Sequence, residues 1–295
     1  MKTQQVGSRG MVFIFDDFTT PEYECPTNVY VIIGNKNVYV CDTFLGPDSM
    51  KEVKEYLAQK CPQKPITVFN SHHDWDHHWG NCAFPNSRII AHELCLEKMD
   101  EEALNEMEKN KDQMKGKVIY TPPNVLFKNI LLFDEDEIKI FYSPGHTIDS
   151  SSLYDMKDKI LFAGDNLERP IPYLTTNLNG LKEYITSLDK YNELEIKQII
   201  PGHGPISTTD ILKDNYEYLS NFPDLEKVSD KRKDQKSYLS VHIMNLNKIA
   251  EMFISEGNKA EAKNYWEIAL DLSEKNIDLL SKETSEKIKA KIASL

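Results

Sequence analysis

The 295-residue chain is 40% hydrophobic and 28% charged, a composition typical of a globular protein with one large domain or one domain plus an appendage. Its net charge of −12, with no basic stripe before the C-terminal third, disfavours a nucleic-acid partner. Five cysteines without CxxC spacing, and no apolar signal-peptide core or membrane-length apolar run, predict a cytoplasmic protein with reduced thiols.

Short apolar runs, partly β-branched, predict strands along the first two-thirds of the chain. The predicted strands are 11–15, 28–34, 37–42, 66–69, 88–91, 138–142, 160–163 and 196–200. Because only two residues separate the second of these strands from the third, the pair predicts a hairpin. Helical spacing of apolar residues predicts helices over 47–59 and about 93–114.

A dense group of potential metal ligands follows the strand predicted at 66–69. Four of the eight histidines and two aspartates lie within seven residues: His72, His73, Asp74, Asp76, His77 and His78. Imidazole and carboxylate groups bind Zn²⁺, Fe or Mn²⁺, and crowding them is costly without a cation to offset their desolvation. Since α/β folds place their chemistry on loops at the carboxyl ends of strands, this segment predicts a metal site there.

Three later strands end in the same way, with a glycine followed by one metal-type ligand. These ligands are His146, Asp165 and His203. Glycine allows the sharp turn and the close backbone approach that such a site needs. Taken singly, each residue has an ordinary explanation as a hydrogen-bonded loop histidine or a turn aspartate. Together with the first group, and in this order after four strands, they predict one shared metal centre.

The order of these ligands resembles the metallo-β-lactamase superfamily, whose signature is HxHxDH followed by a single His, a single Asp and a final His at later strand ends. The matching residues are His72, Asp74, Asp76, His77, His146, Asp165 and His203. The resemblance covers about residues 11–220. It implies an α/β (α+β) fold, a four-layer αβ/βα sandwich with a dinuclear metal centre at one edge. It further implies one metal on His72, residue 74 and His146, a second on Asp76, His77 and His203, and Asp165 bridging them.

Position 74 departs from the commonest family pattern, which has a second histidine there. His73 is the alternative ligand, but it would break the one-residue alternation that points both ligands inward, so we prefer Asp74. His73 and His78 are then supporting or pocket residues. An added carboxylate makes the centre less positive, so it should be a weaker Lewis acid and should favour Fe or Mn²⁺ relative to Zn²⁺.

The resemblance implies a metal-dependent hydrolase that uses two divalent ions. Zn²⁺ is the first expectation, and Fe or Mn²⁺ are the alternatives because of Asp74. A bridging hydroxide would attack a small ester, thioester or lactone, and Asp76 would orient this nucleophile and move its proton. The acidic charge disfavours the family's nucleases, and the absence of a signal peptide disfavours its exported β-lactamases. Four aromatic residues are expected to line the pocket: Trp75, Trp79, Tyr142 and Tyr173.

Two other activities of the family remain open as alternatives. Flavodiiron proteins have this fold and carry Glu where this chain has Asp74, and they use two irons to reduce oxygen or nitric oxide. A flavodoxin-like segment that would deliver electrons is missing from the sequence. Phosphodiesterase activity is the second alternative.

The C-terminal third has a different character from the strand-rich part. We predict a catalytic domain over 1–221, a charged linker over 222–236 and a helical extension over 237–295. The extension resembles one tetratricopeptide-type helical hairpin through Leu246, Ile249, Ala250, Phe253, Gly257, Ala262, Trp266 and Ala269. A lone repeat cannot bury both faces, so it should dock on the main domain, over the active-site mouth, or in a homodimer. The expected partner is a small-molecule substrate, with no nucleic acid and no membrane.

Overall fold

Two stacked β-sheets form the centre of the molecule in the computed structural model, which describes residues 1–19, 25–232 and 235–295. The strands within these ranges are β1 Lys2–Val6, β2 Gly10–Phe15, β3 Thr27–Ile33, β4 Val38–Cys41, β5 Ile66–Phe69, β6 Arg88–His92, β7 Val125–Phe127, β8 Ile130–Phe133, β9 Ile138–Tyr142, β10 Ser151–Asp155, β11 Ile160–Gly164 and β12 Gln198–Pro201. The helices are α1 Lys51–Lys60, α2 Trp75–His78, α3 Glu93–Lys109, α4 Leu178–Asn192, α5 Asp210–Asn221, α6 Lys236–Ser255, α7 Lys259–Lys275 and α8 Lys282–Ala293.

The first sheet follows chain order from β1 to β7, and the second has the order β12-β11-β10-β9-β8. Strands β4 to β7 run parallel to one another, as do β11 and β12. Parallel strands bring their carboxyl ends to one edge, where the following loops meet. Cys41 pairs with Phe69, so the residues that follow β4 and β5 lie side by side at that edge.

Side chains that alternate along each strand divide between separate apolar layers. In β3, Val29 and Val31 join α1 in a cluster on the outer face of the first sheet. Tyr30 and Ile32 face the other way, into a cluster between the two sheets. A third cluster covers the outer face of the second sheet with α4 and α5. The predicted four-layer αβ/βα sandwich is therefore confirmed.

All eight predicted strands and both predicted helices are present, but several other elements follow no simple pattern. Strand β10 reads SSLYD and is buried throughout despite its polar residues. The buried hydroxyl of Ser152 is satisfied by side-chain hydrogen bonds. Ser143 Oγ lies 2.9 Å from Ser152 Oγ, which lies 2.6 Å from the Tyr191 hydroxyl. Hydrogen bonding, not apolar periodicity, explains why this strand lies inside.

The C-terminal helices α6, α7 and α8 follow the sandwich, and Gly257 makes the turn between the first two with a φ of +79°. The apolar cluster on the outer face of the second sheet continues through α4 and α5 into all three helices. The helical extension is thus present, with a third helix beyond the expected hairpin. The domain boundaries and the tetratricopeptide likeness stay predictions, and residues 233–234 of the predicted linker lie outside the described residues.

All five cysteines are free thiols. Among the helices of the described ranges, none has the length and apolar character needed to cross a membrane.

Candidate metal centre

Four loops that leave strands at one edge of the sandwich bring the seven predicted ligands together. The loop after β5 carries His72, Asp74, Asp76 and His77, and those near the ends of β9, β11 and β12 carry His146, Asp165 and His203. We call His72, Asp74 and His146 the first half-site, and Asp76, His77 and His203 the second half-site. Within each half-site, one ligand atom from every residue lies within 4.8 Å of the others.

Asp165 lies between the two half-sites. Its Oδ2 atom is 3.8 Å from His72 Nε2 and 4.0 Å from His146 Nε2, both in the first half-site. The same atom is 3.3 Å from His77 Nε2 and 3.6 Å from His203 Nε2, in the second. One carboxylate oxygen therefore faces four imidazole nitrogens, which is the position a ligand shared by two ions would take.

Each half-site also has a carboxylate of its own. Asp74 Oδ2 lies 3.2 Å from His146 Nε2 and 3.5 Å from His72 Nε2. In the second half-site, Asp76 Oδ2 lies 3.0 Å from His203 Nε2 and 3.7 Å from His77 Nε2. Mixed nitrogen and oxygen donors of this kind suit Zn²⁺, Fe and Mn²⁺.

The four histidines point Nε2 into the cluster because Nδ1 is held from outside. The outer partners are Ser71 Oγ for His72 at 2.9 Å, Asp42 Oδ2 for His77 at 2.8 Å, the Tyr173 carbonyl for His146 at 3.0 Å and Thr27 Oγ1 for His203 at 3.1 Å. Such outer contacts fix the ring orientation and, where the partner only accepts, the tautomer that leaves Nε2 free to ligate.

Asp42 is one of the outer residues that sequence reasoning missed, beside Ser71 and Thr27. It follows β4 with a φ of +58°, and the parallel pairing of β4 with β5 places it beside the ligand loop. Its Oδ2 accepts hydrogen bonds from His77 Nδ1 and from Ser71 Oγ, the latter at 2.7 Å, and its Oδ1 accepts from the Ser71 N–H at 2.8 Å. The sequence feature that could have identified Asp42 is a polar residue at a strand end. Unlike the predicted ligands of the later strands, it is not preceded by a glycine.

The donor set fits a cation on two observations. His72 Nε2 and Asp165 Oδ1 are buried and have no hydrogen-bond partner in the described protein, although both can ligate a metal. Burial opposes the charged carboxylate of Asp165, yet the imidazoles of His77 and His203 outweigh it and hold its pKa far below the usual value. The carboxylates thus stay ionised beside positive charge, which the protonated imidazoles supply and a bound cation would replace.

The imidazoles show the reciprocal effect. Burial disfavours their protonated form, but the Asp165 charge raises the pKa of His77 and of His203 well above the usual value. For His146, burial is outweighed by the hydrogen bond to Asp74, and the pKa rises to about 9. Metal ions compete with these protons, so metal binding should release them.

The structure places Asp74, not His73, in the first half-site. His73 Nδ1 lies 2.7 Å from the buried Asp149 Oδ1, and its Nε2 lies 3.5 Å from Asp74 Oδ1 and 3.7 Å from Glu102 Oε2. His78 is buried. Its burial, and to a lesser extent the positive charge of nearby imidazoles, lowers its pKa to about 4. The choice of Asp74 as ligand stays a prediction that this geometry favours.

A cavity of about 710 Å³ opens beside the first half-site. Its lining includes His73 and Asp74, Lys98 of α3, the segment 175–177 and Lys248 with Met252 from α6. We call this cavity the groove. Trp75 and Trp79 line a smaller neighbouring cavity of about 160 Å³.

The other two aromatic residues expected in the pocket have different positions. Tyr142 stacks on His92 with a centroid distance of 4.0 Å and donates its hydroxyl hydrogen to the Ile148 carbonyl at 2.7 Å. Tyr173 contributes the carbonyl that accepts from His146. Neither role was visible in the sequence, because both depend on contacts between distant segments.

The model of the metallo-beta-lactamase superfamily matches residues 23–203. Over 211 residues, the chain is 21% identical to the acyl-coenzyme A thioesterase MBLAC2 of Homo sapiens, covering 60% of this chain and 72% of that protein. A stretch of 73 residues is 38% identical to the beta-lactamase-like protein 2 homolog of Caenorhabditis elegans, and it spans 24% of the length of that relative.

Solved structures with similar folds include metallo-beta-lactamases from two bacteria. The enzyme from Pontibacter korlensis superposes with a TM-score of 0.58 at 18% identity, covering 75% of this chain and 99% of that one. The enzyme from Hirschia baltica gives 0.57 at 18% identity, covering 74% and 97%. At such identity the likeness shows the fold alone.

Proposed function

The chain belongs to the metallo-beta-lactamase superfamily and is a metal-dependent hydrolase of it, and on this premise we propose that it hydrolyses a small thioester. Related esters and lactones would be further substrates. The observation that carries the proposal is the pair of half-sites that meet at Asp165 Oδ2. The thioester is preferred because the relative matched over 72% of its length is an acyl-coenzyme A thioesterase.

The half-sites would hold two divalent ions, one each, and Asp165 would contact both. When bound, the two ions supply a water of lowered pKa and a Lewis acid for the substrate carbonyl oxygen. The chain's own part is to keep the donors in place: Asp42, Thr27, Ser71 and the Tyr173 carbonyl hold the four rings from behind.

Asp76 is the residue to which we assign orientation of the attacking water and acceptance of its proton. Its side chain is 14% exposed, compared with 5% for Asp165, so it is the more accessible of the two. The contact with His203 Nε2 at 3.0 Å fixes the direction of its carboxylate. A carboxylate held within hydrogen-bond reach of the attacking water is suited to move its proton.

The groove is the place for the remainder of the substrate. Lys98 and Lys248 reach it from two different helices, and Met252 and Ile148 add apolar surface. Glu102, Glu183 and Glu256 line it as well, and Lys98 is paired with Glu101. Of these groups, the Lys248 amine suits a thioester whose carrier bears negative charge, and the apolar side chains suit a short acyl chain. In such a complex the acyl carbonyl would sit beside Asp74, where the groove meets the first half-site.

The test is a hydrolysis panel on protein purified without added metal or chelator, with metal content measured on the same sample. An acyl-coenzyme A, a lactone, a carboxylic ester and a phosphodiester form the panel. The proposal expects two divalent ions per chain and turnover of the thioester above all others. Turnover of the phosphodiester alone would overturn the thioesterase proposal and assign phosphodiester hydrolysis to the chain instead.

Asp74 is the observation that favours a second candidate, a diiron redox enzyme. With Asp74, the cluster holds three carboxylates, and oxygen-rich donor sets suit iron. Two irons per chain, no hydrolysis of any panel member and oxygen consumption with an added reductant would support this candidate and overturn the thioesterase.

A further inference from the structure

The C-terminal helix α6 reaches the metal centre through one buried amide. Asn245 is fully buried, and its Oδ1 accepts a hydrogen bond from the Leu174 N–H at 2.8 Å. Its Nδ2 donates to the Pro172 carbonyl at 2.9 Å and to the Tyr218 hydroxyl at 2.9 Å. Two of these three bonds go to the segment that supplies the carbonyl behind His146.

The geometry of the peptide unit connects Asn245 to His146. The Tyr173 carbonyl and the Leu174 N–H belong to one planar unit, in which the two groups of a trans peptide point in opposite directions. The N–H end is bound by Asn245 Oδ1, and the C=O end accepts from His146 Nδ1 at 3.0 Å. Fixing one end of this rigid unit therefore fixes the direction of the other.

The preceding peptide unit is held in the same way. The Pro172 carbonyl accepts from Asn245 Nδ2, and the Tyr173 N–H donates to Glu168 Oε2 at 2.6 Å. Thr175, one residue past this segment, donates its hydroxyl hydrogen to the His146 carbonyl. Both peptide units that flank Tyr173 are thus bound by Asn245, and the one group left pointing at the cluster is the carbonyl that meets the imidazole.

Packing alone does not call for an amide at this position. Of its buried neighbours on α6, Leu246, Ile249 and Ala250 are apolar at 0–1% exposure, and His242 is a polar one whose Nδ1 lies 2.9 Å from the Tyr218 hydroxyl. A buried amide is costly unless its groups are satisfied, and here its acceptor and donor match the Leu174 N–H and the Pro172 carbonyl in one orientation only. The amide is therefore explained by what it holds.

We infer that Asn245 is a positioning residue for His146, so that a residue of the C-terminal helix sets the metal affinity of the first half-site. The inference rests on the proposed role of His146 as a ligand. Asn245 itself touches no predicted ligand. It acts through the Tyr173–Leu174 peptide, and the second half-site, which is held by Asp42 and Thr27, does not depend on it.

The test is a competitive zinc titration of the full chain that resolves two binding steps. His146→Ala identifies the step that belongs to the first half-site. Asn245→Ala should weaken that same step by about 10- to 100-fold, the usual effect of removing an outer partner of a metal-binding histidine, and should leave the other step unchanged. Asn247→Ala is the matched control, because Asn247 lies on the same helix and bonds only to Ile243 and Lys291 in the described structure.

A double variant separates positioning from a general loss of stability. If Asn245 acts only through His146, then adding Asn245→Ala to His146→Ala should weaken the first step no further. If Asn245→Ala does not fold, Asn245→Ser replaces it, since a short hydroxyl and a water can satisfy the freed groups without fixing their direction; the same selective loss is expected.

Each outcome decides between the claims. Equal weakening of both steps, no weakening, or an additive effect in the double variant would overturn the role of Asn245. No effect of His146→Ala on either step would instead overturn the proposed ligand set, and with it this inference.

Discussion

The two half-sites contain similar donors but are built into the fold in different ways. In the second, Asp42 and Thr27 hold the histidines directly from the ends of β4 and β3 in the first sheet. In the first, His146 is held by a loop carbonyl that is itself held by Asn245 of the C-terminal helix. The second half-site is therefore held from within the sandwich, whereas the first has, beside the Ser71 contact of His72, one contact that leads to the extension.

The difference also shows in the exposure of the carboxylates. The side chain of Asp74 is 32% exposed and lines the groove, whereas that of Asp76 is 14% exposed. The first half-site combines the unusual carboxylate, the contact with the groove and the dependence on α6. We propose that the second half-site anchors the centre and that the first is the place where substrate and metal preference are adjusted.

Asp165 is the residue that the two half-sites share, and its loss should erase the difference between them. Asp165→Asn keeps the size but removes the charge that faces four imidazoles, so both metal-binding steps should weaken. Hydrolysis should fall on the order of 10³-fold, the scale for removing a group that acts at the reacting centre. Metal content and turnover measured together check this; loss of only one ion would show that Asp165 serves a single half-site.

Asp42→Asn should weaken the second half-site more than the first, because Asp42 contacts His77 directly and reaches His72 only through Ser71. In the orientation that keeps the hydrogen bond from the Ser71 N–H, the amide would present its NH2 group to His77 Nδ1, which now donates to Asp42. The ring would then have to place its proton on Nε2, the atom that must ligate. We expect a 10- to 100-fold weaker second step in the zinc titration. Asp136→Asn is the control, since this buried aspartate bonds to Asn37 and Tyr39 away from the centre and should change thermal stability only.

Asp74→His should make the first half-site more like the commonest family pattern. The centre gains positive charge, so the pH at which hydrolysis reaches half its maximum should fall by about one unit. Competition between equal Zn²⁺ and Mn²⁺ should also shift towards Zn²⁺ on the order of tenfold. An unchanged pH profile and an unchanged metal preference would show that Asp74 does not set the charge-dependent properties of the centre.

Lys248→Ala should give the smallest effect, because it alters the groove and leaves both half-sites intact. The KM for an acyl-coenzyme A should rise about two- to fivefold, the scale of an exposed ion pair, with kcat unchanged. An uncharged thioester should show no change. Lys287→Ala, at an exposed lysine of α8 paired with Glu283, is the control, and an equal effect there would place the carrier outside the groove.

The sequence predicted those parts of the fold and site that depend on local pattern. A strand that ends in glycine and a ligand is readable wherever it occurs, and the loops at 145–146, 164–165 and 202–203 lie where this pattern places them. Alternation within β3 likewise separates the residues that face α1 from those that lie between the sheets.

The residues that sequence reasoning missed act across long distances in the chain. Asp42 reaches His77 over 35 positions, and Asn245 reaches Leu174 over 71. No local pattern predicts such contacts, because each arises only when elements that are far apart in the sequence pack together. Strand β10 was missed for a related reason, since the buried Ser152 hydroxyl is satisfied by Ser143, which follows β9, and by Tyr191 of α4.

The most direct test of the two-half-site account is a crystal structure of the zinc-loaded protein with anomalous scattering recorded at the zinc edge. The account predicts two anomalous peaks, one bound by His72, Asp74 and His146 and the other by Asp76, His77 and His203, with the Asp165 carboxylate contacting both. A single peak, or a first ion bound by His73 in place of Asp74, would contradict it.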